Sequence, residues 1–277
     1  MKHIRSIRRC VQLLVFLGFC ILPWLGETIR GSLFALRLGP IPFADPVATL
    51  QTLCGNWPGM RLLFGAGFTL IIALLCGRIF CSWICPYGFL SELVHRKNAH
   101  PKQTPFKQAF LVKSGLLAFA LLVFLIFSYP LLGLISFPGE LSLLPLLAWQ
   151  NETVLAILIA AALPILALLL ELATGKRLWC RYVCPQSVLL GFASGSLPDN
   201  CLGLRIRWNP KACTCKGEAP CRQACTLGLN PRHILGPNRR DCTQCCDCVQ
   251  ACSAKGQALT WSCTTGKKTI DKYAAKN

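Results

Sequence analysis

Four long apolar stretches dominate the pattern of hydrophobic and polar positions along the chain. Each is close to the length of about 20 residues that a helix needs to cross the hydrocarbon core of a bilayer. The third and fourth stretches are nearly uninterrupted by polar residues. The pattern therefore predicts an all-α membrane domain over residues 1–175, with four transmembrane helices near residues 10–25, 61–80, 114–136 and 152–174.

Basic residues alternate between the two sides of these predicted helices. Four Lys or Arg residues precede the first helix and five lie between the second and third, whereas the connection over residues 136–152 has none. Because short loops rich in Lys and Arg stay in the cytoplasm, both termini are predicted to be cytoplasmic. The predicted location is the bacterial inner membrane, with several passes through it.

Composition and charge agree with a membrane protein. Of the 277 residues, 53% are hydrophobic and only 14% are charged, too few for an ordinary soluble domain. Much of the net charge of +18 lies in residues 176–277, hereafter the tail, which has sixteen Lys/Arg against five Asp/Glu. No nucleic-acid motif accompanies this charge. Contact with anionic membrane lipids or with an acidic partner explains it, and nucleic acid is not an expected partner.

The strongest local signal lies among the 19 cysteines, in the tail. The motif Cys242-x-x-Cys245-x-x-Cys248-x-x-x-Cys252 has the spacing of bacterial ferredoxins, in which three cysteines bind one [4Fe–4S] cluster and the fourth binds its neighbour. Such spacing favours metal binding over disulfides. The tail is therefore predicted to form a small ferredoxin-like α+β domain with two [4Fe–4S] clusters.

A second tail motif is irregular, because Cys213-x-Cys215 is followed by Cys221-x-x-x-Cys225. Only its second half keeps the ferredoxin spacing. A zinc site, a cluster that lacks one iron, or recruitment of Cys246 or Cys201 are alternatives for this half. If the two motifs exchange their last cysteines, the predicted ligand sets are Cys225, Cys242, Cys245 and Cys248 for one cluster, and Cys213, Cys215, Cys221 and Cys252 for the other.

A nine-residue pattern occurs twice, at residues 78–86 and 177–185. Each copy begins with Arg, ends in C-x-x-x-C-P, and follows an even-numbered predicted helix, so the membrane part is predicted to be two hairpins. Three interpretations are open: packed boundary cysteines, a redox-active dithiol that faces quinone, or four thiolates that jointly hold another cluster or metal. The candidate cofactor-binding residues are Cys81, Cys85, Cys180 and Cys184.

These features together resemble the NapH/MauN family, the membrane ferredoxin-type proteins of periplasmic nitrate reduction and methylamine utilisation. The likeness covers nearly the whole chain and includes Arg9-Cys10, Pro23-Trp24, Phe43-Ala44-Asp45-Pro46, both C-x-x-x-C-P turns and Arg240-Asp241-Cys242. It implies a quinol dehydrogenase component that takes electrons from the quinone pool and passes them to a periplasmic ferredoxin-type protein or a cytochrome. The irregular motif departs from the regular spacing expected in NapH, so the pathway stays open.

Two residues are candidates for catalysis in quinol oxidation. Glu171 lies inside the fourth apolar stretch, where a charge is costly, so it is a candidate proton acceptor, although it is also close enough to the interface to extend into water. His95 lies in a basic loop and is the second candidate. The chain is then an electron-transfer subunit rather than a stand-alone enzyme. The alternative is a redox factor for the maturation of a periplasmic enzyme.

Overall fold

The structure is a computed structural model, in which most of the chain is described. The described residues are 4–25, 37–38, 41–42, 44–55, 59–95, 106–128, 132, 136–137, 141, 144–145, 147–148, 150, 153–175, 177–196, 203–215, 219–233, 240–253 and 257–263.

The described chain is mostly helical, with two small antiparallel sheets. The helices are α1 (Ile4–Leu25), α2 (Pro46–Gly55), α3 (Met60–Cys76), α4 (Ile79–Trp83), α5 (Pro86–His95), α6 (Phe106–Phe127), α7 (Val154–Thr174), α8 (Gln186–Ser196), α9 (Pro220–Gln223) and α10 (Asp247–Ser253). The strands are β1 (Arg37–Leu38), which pairs with β2 (Ile41–Pro42), and β3 (Arg205–Trp208), which pairs with β4 (Leu259–Ser262).

Of the helices in the described part of the chain, two are long and apolar enough to cross a membrane. They are α7 and the Ala109–Phe127 part of α6. Large apolar side chains point outward from both: Phe127 is 74% exposed and Val154 is 72% exposed. Such faces are stable against lipid rather than water. The helix α3 is apolar but has only 17 residues, and α1 carries arginines in its first turns, so four membrane passes remain a prediction.

Each of the two C-x-x-x-C-P turns is a short helical turn followed at once by a new helix. In the first, Cys81 lies in α4 and α5 starts at Pro86; in the second, Cys180 lies in a π-helical turn, Trp179–Val183, and α8 starts at Gln186. Proline at the start of a helix costs no hydrogen bond, which explains why a new helix begins at each turn. Both new helices return to the bundle, because α5 packs against α7 and α8 packs along α3.

The tail combines helix and strand around a cysteine-rich core. β3 and β4 pair over their full length, from Arg205 opposite Ser262 to Trp208 opposite Leu259. Their inner side chains and those of α10 enclose a buried cluster that includes Ile206, Val249 and Leu259. The helices and the sheet thus form the small α+β unit that the ferredoxin spacing predicts.

Buried ion pairs fasten the tail to the helical bundle. Arg8 of α1 donates to both carboxylate oxygens of Glu92 in α5, at 2.7 Å each, and to Asp247 at the start of α10 at 3.2 Å. On the other side, Lys113 of α6 and Arg78 share the carboxylate of Asp241. A buried charge is stable only when it is paired, so these contacts fix the position of the tail.

Candidate iron–sulfur sites

The structure brings Cys225, Cys242, Cys245 and Cys248 together, and we call them the regular set. Their thiols lie within electrostatic range of one another. Burial raises the pKa of Cys242 to about 12, although the backbone N–H of Gln244 opposes this shift. Burial likewise raises the pKa of Cys225 against an N–H from Leu229, which lies 3.3 Å from its Sγ. A bound metal offsets this burial cost, because metal binding favours thiolates.

The second set, Cys213, Cys215, Cys221 and Cys252, lines one pocket of the tail and is the irregular set. The backbone N–H of Cys215 lowers the pKa of Cys213, whereas burial and the nearby Cys252 raise that of Cys221. Arg232 also lines this pocket and donates to the carbonyl of Cys215 at 3.3 Å. The four cysteines that the predicted exchange assigns to one cluster thus line one pocket, and their role as ligands stays a prediction.

One of the two alternative ligands, Cys246, does not join the irregular set. Cys246 is fully buried and its thiol donates to the carbonyl of Gln244, with a backbone φ of 62°. It is not among the residues that line the pocket. Cys201 lies outside the described residues.

The donors of both sets are thiols, the ligands that iron–sulfur clusters use. Within the described part of the chain, no group of three or more His, Cys, Asp or Glu side chains is arranged to hold one metal ion. Tetrahedral zinc with Zn–S bonds of about 2.3 Å needs sulfurs roughly 3.8 Å apart. A cubane of four irons separates its thiolates more widely. The chemistry of the donors therefore fits [4Fe–4S] clusters, which supply one-electron transfer.

Removal of Cys252 tests the irregular set. We expect Cys252→Ser to lose about four irons per chain in anaerobically purified protein, because one of four ligands is missing. Cys263→Ser is the matched control, since Cys263 is exposed and lies outside the sets. Metal and acid-labile sulfide analysis measures both. Loss of zinc, with iron unchanged, would instead identify the pocket as a zinc site.

The cysteines of the two C-x-x-x-C-P turns also meet, and we call them the membrane set. Cys85 lies within electrostatic range of Cys81, Cys180 and Cys184. Cys85 and Cys184 are buried, and Cys85 packs in an apolar cluster with Tyr87 and Phe137. The repeated pattern therefore forms one four-thiol site from two distant parts of the chain.

Each turn also contacts the segment that carries the regular set. In the first turn, the Ser82 hydroxyl donates to the carbonyl of Thr243, and Trp83 donates to the carbonyl of Gln244 at 3.3 Å. In the second turn, Arg181 donates to the carbonyl of Leu227 at 2.6 Å. These carbonyls lie one or two residues from cysteines of the regular set. The membrane set and the regular set are thus neighbours.

The candidate proton acceptor Glu171 is buried in the bundle rather than extended into water. It is 1% exposed, it accepts the Ser91 hydroxyl, and its Oε1 accepts the backbone N–H of Trp179 at 2.9 Å. Arg177 donates to the same Ser91 hydroxyl at 3.1 Å. His95 is the last residue of α5, and its side chain lies outside the described residues.

Comparison with known proteins identifies relatives along most of the chain. The ferredoxin-type protein NapH of Escherichia coli K12 is 25% identical over 272 residues, which cover 95% of this chain and 91% of NapH. The putative electron transport protein YccM of the same organism is 26% identical, covering 94% of this chain and 76% of YccM. The methylamine utilization ferredoxin-type protein MauN of Methylobacillus flagellatus is 27% identical, covering 64% of this chain and 62% of MauN.

The chain is a homologue of the NapH and MauN ferredoxin-type proteins. The resemblance stated from the sequence motifs is therefore confirmed. The chain's relatives are named as ferredoxin-type and electron transport proteins, and two of its described helices are long and apolar enough to cross a membrane. No solved structure matches the chain.

One family match falls on the membrane part of this NapH/MauN homologue. A 4Fe-4S binding domain matches residues 58–105 and 153–203. The two matched segments contain the membrane set, whereas both tail sets lie outside them. The ferredoxin spacing and the family match thus point to different parts of the chain.

Sequence reasoning missed the charged residues that surround these sites. Arg78 and Arg177 begin the two repeated patterns and are buried next to the membrane set, at 2% and 4% exposure. Arg8 lies beside Cys245. The repeat itself contains a signal for the first two, because both copies start with Arg. For Arg8 no such signal exists, since its partners are distant in sequence.

Proposed function

We propose that the chain is a membrane-bound electron relay that oxidises quinol and carries electrons through two [4Fe–4S] sites in its tail. One observation carries this proposal: two sets of four cysteines lie side by side in the tail in the ferredoxin pairing, directly against the helical bundle. A protein that only stored a metal would not need its metal sites to pack against membrane helices. The donor, quinol, is the substrate class that the resemblance to NapH and MauN implies.

The contacts of the helices support four membrane passes with both termini on the tail side. Arg8 near the start of α1 and Lys113 near the start of α6 both pair with tail carboxylates. Arg78, just after α3, also contacts the tail, and Arg177, just after α7, donates to Thr226 at 3.4 Å. The first and third predicted membrane helices, α1 and α6, therefore start at the tail side. The second and fourth, α3 and α7, end there. With the basic loops, this arrangement favours a cytoplasmic tail in the inner membrane.

We assign electron acceptance and proton acceptance in quinol oxidation to different residues of the chain. Oxidation of one quinol releases two electrons and two protons, and each of the two tail sites would hold a cluster able to accept one electron. The Glu171 carboxylate lies in the bundle, where its Oε2 accepts the Ser91 hydroxyl and Tyr87 lies nearby. We assign Glu171 as the first acceptor of a quinol proton. Arg177 and Ser91 position this carboxylate.

The Glu171→Gln variant tests two points together: that quinol is the electron donor and that Glu171 accepts its proton. In anaerobic detergent solution, a quinol analogue is expected to reduce the wild-type protein, as measured by low-temperature EPR. The variant should be reduced about 100-fold more slowly, because a positioned base contributes at least this factor to proton transfer. Dithionite, which needs no proton acceptor, should reduce both proteins equally and is the control.

Two outcomes would contradict parts of this proposal. If dithionite but no quinol analogue reduces the wild-type protein, quinol is not the donor, and a role in maturation of a periplasmic enzyme becomes the better hypothesis. If the quinol analogue reduces the variant as fast as the wild type, quinol is the donor but Glu171 is not the acceptor.

A further inference from the structure

We infer that the head group of quinol binds in an aromatic cluster of the bundle, formed by Tyr87, Phe137 and Trp179. The cluster lies beside Glu171 and Cys180. The Tyr87 hydroxyl and the Trp179 indole N–H donate hydrogen bonds to the quinol oxygens. This inference rests on the proposed function, because it locates the binding site of the electron donor named there.

Two buried hydrogen-bond donors in this cluster have no partner among the described residues. They are the Tyr87 hydroxyl and the Trp179 Nε1–H. The Tyr87 hydroxyl lies close enough to the Glu171 carboxylate to interact with its charge, but outside hydrogen-bond geometry. Burial of an unpaired donor costs free energy, so native proteins supply almost every such group with an acceptor. Two unpaired donors in one cluster therefore indicate that an acceptor binds there.

The rings of the cluster indicate that this acceptor belongs to a flat molecule. Phe137 stacks on Trp179 with ring centroids 3.6 Å apart, and Tyr87 is tilted against Phe137 with centroids 5.1 Å apart. Phe137 covers one face of the indole, yet Trp179 is only half-buried, although its Nε1 is buried. The uncovered part of the indole is a surface on which a second flat ring can pack.

The surroundings of the cluster are apolar, so lipid-dissolved molecules can reach it. Glu171 lies three residues before the end of α7, and its Oε1 accepts the backbone N–H of Trp179. The two residues just before Glu171 on this helix, Leu169 and Leu170, are exposed, as side chains that face lipid are. A molecule that contacts the exposed part of Trp179 at this level therefore comes from the bilayer.

Glu171 and the membrane set are the neighbours that a quinol needs for oxidation. The Glu171 carboxylate accepts one hydrogen bond at each oxygen, from the backbone N–H of Trp179 and from the hydroxyl of Ser91. A carboxylate has about four acceptor positions, so this one can also accept a quinol hydroxyl. Cys180 follows Trp179 in the chain and lies within electrostatic range of Tyr87, which brings the membrane set next to the cluster.

Quinol is the class of molecule that fits all of these features. It dissolves in the bilayer, it has a flat ring, and its two hydroxyl groups can accept hydrogen bonds from the buried donors and donate one to a carboxylate. A bound water molecule would satisfy the two donors, but it would not use the uncovered part of the indole or the access from lipid. The four properties together therefore favour quinol.

Quinone binding to the full-length protein tests this site. A short-chain ubiquinone or menaquinone is titrated into the oxidised protein in detergent, and calorimetry measures the dissociation constant. Tyr87→Phe and Trp179→Phe each keep an aromatic ring and remove one donor, so each should weaken binding about 10-fold. Tyr182→Phe is the matched control, because Tyr182 lies in the same turn as Trp179 but outside the cluster. It should bind the quinone as wild type does, and all four proteins should contain the same amount of iron.

The outcomes separate this inference from the proposed function. If the quinol analogue reduces the wild-type protein but neither variant binds the quinone more weakly, quinol remains the donor and the site is wrong. Weaker binding in the variants, with no reduction of the wild type by quinol, would keep the site and reject quinol as the donor. No binding to the wild type would overturn the inference. If the variants do not accumulate, a photoreactive azidoquinone is attached to the wild type. Label on peptides that contain Tyr87, Phe137 or Trp179 would support the site, and label only elsewhere would overturn it.

Discussion

Replacing Cys245 by serine is expected to remove about four irons per chain and to stop electron transfer from quinol to the irregular set. Cys245 is a member of the regular set, and this set contacts both C-x-x-x-C-P turns through Thr243, Gln244 and Leu227. The irregular set lies beyond it, in the pocket under β3 and β4. Loss of the regular set therefore interrupts the route as well as removing one cluster.

Cys246→Ser is the control for this experiment. Cys246 is the next residue in the chain and is the more buried of the two, but its thiol donates to a backbone carbonyl, which a serine hydroxyl can also do. This variant should keep all of its iron and its reduction by quinol. Iron analysis and EPR after quinol addition measure both. Equal iron loss in the two variants would mean that any cysteine change here unfolds the tail, and reduction of the irregular set in Cys245→Ser would show another route.

Replacing Arg8 by leucine is expected to destabilise the docked tail by about 3–5 kcal/mol, the usual cost of leaving a buried charge without its partner. The Arg8 guanidinium bridges Glu92 of α5 and Asp247 of α10, and its side chain is 1% exposed. Leucine would leave the Glu92 carboxylate buried in the bundle. Arg5, which contacts Asp247 at 3.0 Å, would retain part of the contact to the tail.

Arg9→Leu is the matched control for the Arg8 variant. Arg9 reaches the same Glu92, but at 4.0 Å and with a side chain that is 30% exposed. Partly exposed ion pairs contribute at most about 1 kcal/mol. Thermal unfolding in detergent and limited proteolysis of the tail should therefore affect Arg8→Leu much more than Arg9→Leu. Equal effects would mean that the N-terminal charges act together and not through the buried bridge.

The grouping of the tail cysteines could be predicted because ferredoxin spacing encodes local geometry, whereas their role as cluster ligands stays a prediction. Cys242, Cys245 and Cys248 lie on one tight loop, whose conformation depends on neighbours in the sequence. The partner cysteine, Cys225, followed from the exchange rule. In the irregular motif, spacing alone left zinc and Cys246 open. The fold settled which thiols meet, because the contact of α9 with α10 places Cys221 next to Cys252.

The grouping of the four thiols in the membrane set could not be predicted from the sequence. The repeat predicted two equivalent turns but not whether their thiols face each other, since residues 81 and 180 are far apart in the chain. The number of membrane passes was likewise predicted only from the length and composition of the apolar stretches. Of the described helices, α6 and α7 meet both criteria, and the α1 and α3 passes stay proposals. The domain boundary at residue 175 also stays a prediction, although α8 beyond it packs along α3.

By itself, the sequence predicted apolar helices, iron–sulfur chemistry and kinship with NapH and MauN, because these depend on hydrophobic runs and on cysteine spacing. Only the tertiary structure decided that the three cysteine sets lie in succession and that Arg8, Arg78 and Arg177 are buried beside them. The physical reason is that thiol grouping and charge pairing are long-range contacts. They depend on how α5 and α8 return into the bundle, which no local pattern specifies.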